Sequence, residues 1–165
     1  FWGIAKFGWS EAMVGATLAI FGLVMAGFQG GLTGPAVSRF GEHRVALIGL
    51  CCAIIAAAGY GLAWSLPVVV VLMVIHGPEG FVHPMLTAMM SKIVPENAQG
   101  ELQGGISAIT NIAMLIGTVF FSQIFGFFMR DGAAWQTPDA GYFIAAGVLG
   151  LALLAFVSLT RREDH

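Results

Sequence analysis

The sequence predicts an all-α polytopic membrane protein, five transmembrane helices in a single membrane domain over residues 1–165. Three observations predict it. First, 58% of the residues are hydrophobic and only 10% are charged, against roughly 25% charge in an ordinary soluble domain. Second, the mean hydropathy is +0.86 over 165 residues, and so short a chain cannot bury that much apolar surface in one core. Third, the apolar residues gather into five runs close to the ~20 residues that a bilayer-crossing helix needs. The same composition excludes disorder. A net charge of −2 with 7 Lys+Arg leaves no basic surface for nucleic acid. The expected surroundings are a lipid bilayer.

Taken in order, residues 1–9 read as the end of an earlier element and a turn. The sequence opens on Phe1 with no charged stretch and cleavage site behind it, and reads as cut from something longer. The first span, 13–32, carries no formal charge. The second, 45–66, is rich in alanine and holds the adjacent Cys51 and Cys52, which read as small buried residues. The third, 67–90, is interrupted by His76, Glu79 and His83. The fourth, 106–129, contains Asn111 and Gln123 and a crowd of phenylalanines. The fifth is 141–159.

Basic residues orient the bundle. Arg39, Arg44, Lys92, Arg161 and Arg162 fall on one side, and Lys6 and Arg130 on the other. Five against two places the C-terminus in the cytoplasm. Trp9, Trp64 and Trp135 then fall near the outer boundary, where indole rings settle. Glycines four apart (Gly27 and Gly31, Gly30 and Gly34, Gly100 and Gly104) predict close helix contacts.

The third span carries the chemistry. An ionisable residue at membrane depth is a functional candidate by default, because burying its charge costs several kcal/mol. At about 100° per residue, Glu79 and His83 fall within about 60° of His76 on a straight helix. Pro78 and Pro84 argue against straightness, since each removes a backbone donor. Three readings stay open: Glu79 as a proton-coupling group tuned by His76 or His83, the three as helix-to-helix hydrogen bonders, or a metal site. Three residues over two turns with prolines between them are thin support for a metal, so none is assigned. Gln29, Asn111 and Gln123 are cavity candidates, with bonding across helices as the alternative.

The stretch Thr33-Gly34-Pro35-Ala36-Val37-Ser38-Arg39-Phe40-Gly41-Glu42-His43-Arg44 resembles the conserved loop Gly-x-x-x-Asp-Arg-x-Gly-Arg-Arg of the major facilitator superfamily. Gly34, Arg39, Gly41 and Arg44 are in keeping with it; Ser38 stands in place of the acid and Glu42 in place of a base. Glycine allows the tight turn, and arginines there cap helix ends and pair with carboxylates. The plain alternative is a positive-inside anchor. Gln99-Gly100-Glu101-Leu102-Gln103-Gly104, with Phe7-Gly8-Trp9-Ser10, is similar to the C-terminal half of tetracycline/proton antiporters and related multidrug exporters. The resemblance covers essentially the whole chain. It implies helices 8 to 12 of a twelve-helix transporter in a bacterial inner membrane, with the N-terminal half and seventh helix outside this sequence.

What the resemblance implies is part of a proton-coupled secondary transporter exporting a small amphipathic compound, its missing N-terminal half being the partner. The sequence departs from it at one point. Such antiporters carry an acid in the ninth helix, and 45–66 has none. Coupling then falls to Glu79, or the half has lost transport. The rival expectation is a structural subunit docked on other membrane subunits. No phosphate loop, nucleophile elbow or redox cysteine pair is present, so neither an enzyme nor a cofactor is expected.

Overall fold

The computed structural model describes residues 1–130, 132 and 135–160. Arg161 and Arg162, counted above on the basic side, lie outside the described residues. Among those described, a short helix α1 (Trp2–Phe7) precedes five helical stretches long and apolar enough to cross a membrane. The first stretch joins α2 (Glu11–Gly27), a π turn (Phe28–Leu32) and α3 (Thr33–Phe40) without a break. The second is α4 (Glu42–Leu62). The third joins α5 (Leu66–His76), a 3-10 turn (Gly77–Phe81) and α6 (Val82–Ile93). After a short 3-10 turn (Glu96–Ala98) come α7 (Gln99–Met129) and α8 (Ala140–Thr160).

Local chemistry sets these boundaries. Ser10 caps α2 by accepting from the Met13 N–H at 3.3 Å, with Glu11 in the first turn. The second span was expected to run to 66 but ends at Leu62. Pro67 has no N–H to offer the Ala63 carbonyl. It opens α5 instead, in the first turn, where no donor is needed. Gln99 does the reverse. Its side-chain amide donates to the carbonyls of Ser91 and Val94, both at 2.8 Å, closing α6 while it starts α7. α7 therefore begins seven residues before the expected 106.

The centre of the bundle is α4, on which α3, α5, α6, α8 and the Gly77–Phe81 turn all pack. Its buried residues, Val45, Ala46, Gly49, Leu50, Ala53, Ala56, Ala57, Tyr60 and Gly61, recur every three or four positions and make one stripe. Two apolar clusters grow from that stripe. Val45 and Ala46 meet Phe81 and Met85 near one end. Ala56 and Tyr60 meet Val69, Leu72 and Met73 near the other.

Each end of the bundle is tied by polar contacts between elements far apart in sequence. At one end Lys6 Nζ lies 2.8 Å from Asp139 Oδ1 and donates to the Gly61 carbonyl at 2.8 Å. Trp2 Nε1 donates to the same carboxylate oxygen at 2.7 Å. At the other end Lys92 pairs with Glu42 at 2.7 Å, and His43 Nε2 lies 2.9 Å from the Thr160 hydroxyl. The expected close contacts of Gly27, Gly30, Gly31 and Gly34 along the first span, and of Gly100 and Gly104, are not made among the described residues: a Cβ on any of them would meet nothing within 4 Å. These glycines face away from the neighbouring helices, so open space lies beside them.

Candidate functional site

Two departures from α-helical winding lie against each other. The first follows from Pro35, whose missing N–H leaves the Gly31 carbonyl unbonded. One turn earlier the helix widens into the π turn, through the paired Gly30 and Gly31. The Thr33 hydroxyl donates to the carbonyls of Gln29 at 2.7 Å and Phe28 at 3.3 Å, which steadies that wider turn. π turns of this kind are frequent at functional sites. The second departure follows from Pro78 and Pro84, which strip donors from the Val74 and Gly80 carbonyls. The chain between them tightens into the 3-10 turn.

Glycines let the two turns touch. A Cβ on Gly77 would overlap the Phe28 ring, and one on Gly80 would lie 3.0 Å from Gln29 Cγ and 3.1 Å from its Nε2. On the opposite side a Cβ on Gly49 would stand 2.6 Å from the Pro78 carbonyl oxygen. The 3-10 turn is thus clasped between α4 and the π turn. Its carboxylate, Glu79, is half-buried and takes part in neither of the two ion pairs among the described residues.

The structure brings Gln29 and the Glu79 segment together from two separate stretches. His76, Glu79 and His83 do not share one helix face. A 3-10 turn advances each residue by about 120° instead of 100°, so the five residues of Gly77–Phe81 add about 100° of rotation between the two histidines. His76 turns inward, its ring 5.3 Å from Phe21 and 5.9 Å from Tyr60. His83 is exposed. Among the described residues, the Nδ1 of His76 is sealed from the surroundings without a hydrogen-bond partner, as is the hydroxyl of Thr87 on α6. Thr87 was not singled out from the sequence; a lone hydroxyl between Leu86 and Ala88 in an apolar stretch was the available signal.

Asn111 and Gln123 lie on α7, both exposed. Gln123 borders a shallow apolar hollow beside Phe120, Phe127 and Arg130, whose guanidinium stands 4.1 Å from the Phe127 ring. Among the described residues, no three of His, Cys, Asp and Glu come close enough to hold a metal ion.

In the loop motif, Gly41 takes φ +77° between α3 and α4, a conformation open chiefly to glycine. Gly34 has open space around it. Arg39 and Arg44 are exposed, the Arg39 guanidinium lying 5.6 Å from its neighbour Phe40's ring. The charge that binds another helix is the one that breaks the motif: Glu42, to Lys92. His43 stacks on Phe156 at 5.1 Å and so joins α4 to α8.

Residues 2–165 match the family model described as Major Facilitator Superfamily. The chain is 32% identical over 156 residues to the tetracycline resistance protein, class C, of Escherichia coli, covering 89% of this chain and 38% of that protein. It is 35% identical over 140 residues to the class G protein of Vibrio anguillarum, covering 82% and 34%. To the class E protein of Escherichia coli it is 28% identical over 155 residues, covering 92% and 36%. The chain therefore spans little more than a third of the length of these relatives. No solved structure matches it.

Proposed function

The chain belongs to the major facilitator superfamily, a family of transporters and not of enzymes, and from that premise we propose that it is one part of a proton-coupled secondary transporter that exports a small amphipathic compound. The observation that carries the reading is the pair of non-α turns packed on each other, Phe28–Leu32 and Gly77–Phe81, with Gln29 and Glu79 on them, the latter in no ion pair among the described residues. Irregular backbone at membrane depth is tolerated where it is buried in protein or lines a cavity, and broken helices mark transporter binding sites. In this reading the five spans are helices 8 to 12, the C-terminal half, and the Gly34-to-Arg44 loop faces the cytoplasm. The remainder of the transporter supplies the other wall, because alternating access rocks one repeat against another. Glu79 takes and releases the coupling proton, and His76, Gln29, Asn111 and Gln123 contribute polar wall. His83, being exposed on α6, serves beside them only if the opposing wall covers it.

The relatives' names make tetracycline the first compound to try. In inverted vesicles from cells that make the chain in its native setting, a proton gradient should drive tetracycline accumulation, and a protonophore should abolish it. Glu79→Gln should remove the gradient-driven part. Gradient-driven flux unchanged by that substitution would discard Glu79 as the coupling group. A second reading draws on the apolar flank of α7, none of which is buried, and on the absence of any acid among the membrane-embedded residues of α4, whose only acid, Glu42, heads the helix in the loop. There the chain is a structural subunit of a larger membrane complex. Native purification with unrelated subunits, and no gradient-driven flux, is the outcome that selects it.

A further inference from the structure

We propose that α1 is a movable strap that shuts one end of an internal cavity, and that a single carboxylate, Asp139, is its latch. The cavity measures about 290 Å³, just below the usual range of ligand pockets. Its side walls come from α2, α4, α5 and α8, with Phe21, Tyr60, Met73 and Tyr142 among them. Trp2 and Gly3 on α1, with Trp9 just after it, close the end. From Val69 to His76 the lining runs seven residues along α5, about 10 Å in from that end. Neither Gln29 nor Glu79 lines the cavity, and a strap needs no proton coupling, so the inference stands apart from the transport reading.

Six residues are too few for a helix to hold itself, so α1 stays in place by what it reaches. Its backbone packs on α2, the next helix in the chain. Its ties to α4 and α8 run through side chains. The Trp2 ring lies edge-on to Tyr142 at 4.8 Å and to Tyr60 at 6.2 Å. Trp2 Nε1 and Lys6 Nζ both donate to one oxygen, Asp139 Oδ1, at 2.7 and 2.8 Å. Lys6 also donates to the Gly61 carbonyl in the last turn of α4, where no helical donor remains. The Lys6 and Asp139 side chains are 16% and 18% exposed, so little water competes for these bonds. The latch thus converges on one atom, and removing it frees two donors at once. Gly8 takes φ +66° where α1 turns toward α2, a joint open chiefly to glycine. An element held by few contacts over unfilled space opens locally ahead of the rest of a fold.

The test uses the full chain in detergent micelles, with Cys51 and Cys52 replaced by alanine. Met73→Cys puts a thiol in the cavity, at a position 8% exposed. Met85→Cys, at a position 5% exposed in the cluster near the other end, is the matched control. A charged, water-soluble thiol reagent reports access to each. Met73→Cys should react slowly while the latch is whole. Asp139→Ala should speed that reaction at least about tenfold, the worth of one hydrogen bond to a charged group, and leave Met85→Cys slow. Trp2→Phe combined with Lys6→Met keeps the carboxylate, removes both donors, and should do the same. An unchanged Met73→Cys rate in either latch variant would show α1 to be a fixed staple and overturn the proposal. A Met85→Cys rate that rises in step would overturn it too, since that marks loosening of the whole bundle. No flux is measured, so a failure of the transport reading leaves these outcomes readable.

Discussion

α4 and α7 are both long, apolar and sprinkled with glycine, yet they meet opposite fates. Half of the most apolar window of α4 is buried inside the chain, and none of that of α7. Hydrophobicity does not separate them, because lipid is as good a neighbour for leucine as another helix is. What separates them is steric. The Gly49 position of α4 lies against the Pro78 carbonyl, and Gly61 against the Phe143 ring. Gly100, Gly104, Gly105, Gly117 and Gly126 of α7 stand in open space. A membrane helix is drawn to the centre by places where its backbone can be approached, provided another backbone arrives to use them.

The largest expected effect breaks that contact directly. Gly49→Leu forces a side chain into a backbone carbonyl that has nowhere to go, and should cost about 3 kcal/mol or more, read as lost folded chain in a detergent unfolding titration. Gly104→Leu on the rim should change the same titration by less than about 0.5 kcal/mol. If the two variants behave alike, the comparison between the helices is wrong. Next in size is Lys6→Met, which leaves the half-buried Asp139 carboxylate with Trp2 alone. A loss of about 2 kcal/mol is expected, largely recovered by adding Asp139→Asn.

Smaller again is Thr33→Val, which uncovers the Gln29 and Phe28 carbonyls at the π turn. It should cost about 1 kcal/mol and raise amide hydrogen exchange from residue 28 to 33 ahead of the rest of α2. The smallest is Glu42→Gln. The Lys92 partner is 67% exposed, and pairs of that kind are worth under about 1 kcal/mol and fade with salt. A thermal shift in low salt that disappears in high salt is the expected result.

Much of this molecule was legible beforehand. The spans follow from runs of apolar residues, and the loop at Gly41 from a glycine that must take a positive φ. The prolines at 78 and 84 announced that the third span would not be straight. Their effect on facing, which parts His83 from His76, needed the winding itself. The π turn was not legible, because Pro35 alone predicts a disturbance and not its kind. Lys6 with Asp139, and His43 with Thr160, are separated by 133 and 117 positions. No local pattern records such pairings; only the assembled bundle does. The glycine spacing along the first span and on α7 was read as packing, and among the described residues these glycines meet open space.

A π turn holds one residue more than the α turn it interrupts. Were that residue shed into the loop at Gly41, everything from Thr33 to Phe40 would pivot by about 100° about its own axis, while α2 above stayed still. Ala36 and Val37, now seated on the Val45 and Met85 cluster, would swing off it, and the arginine at 39 would be re-aimed at a different neighbour. The first span thus contains a ready-made swivel between its two ends.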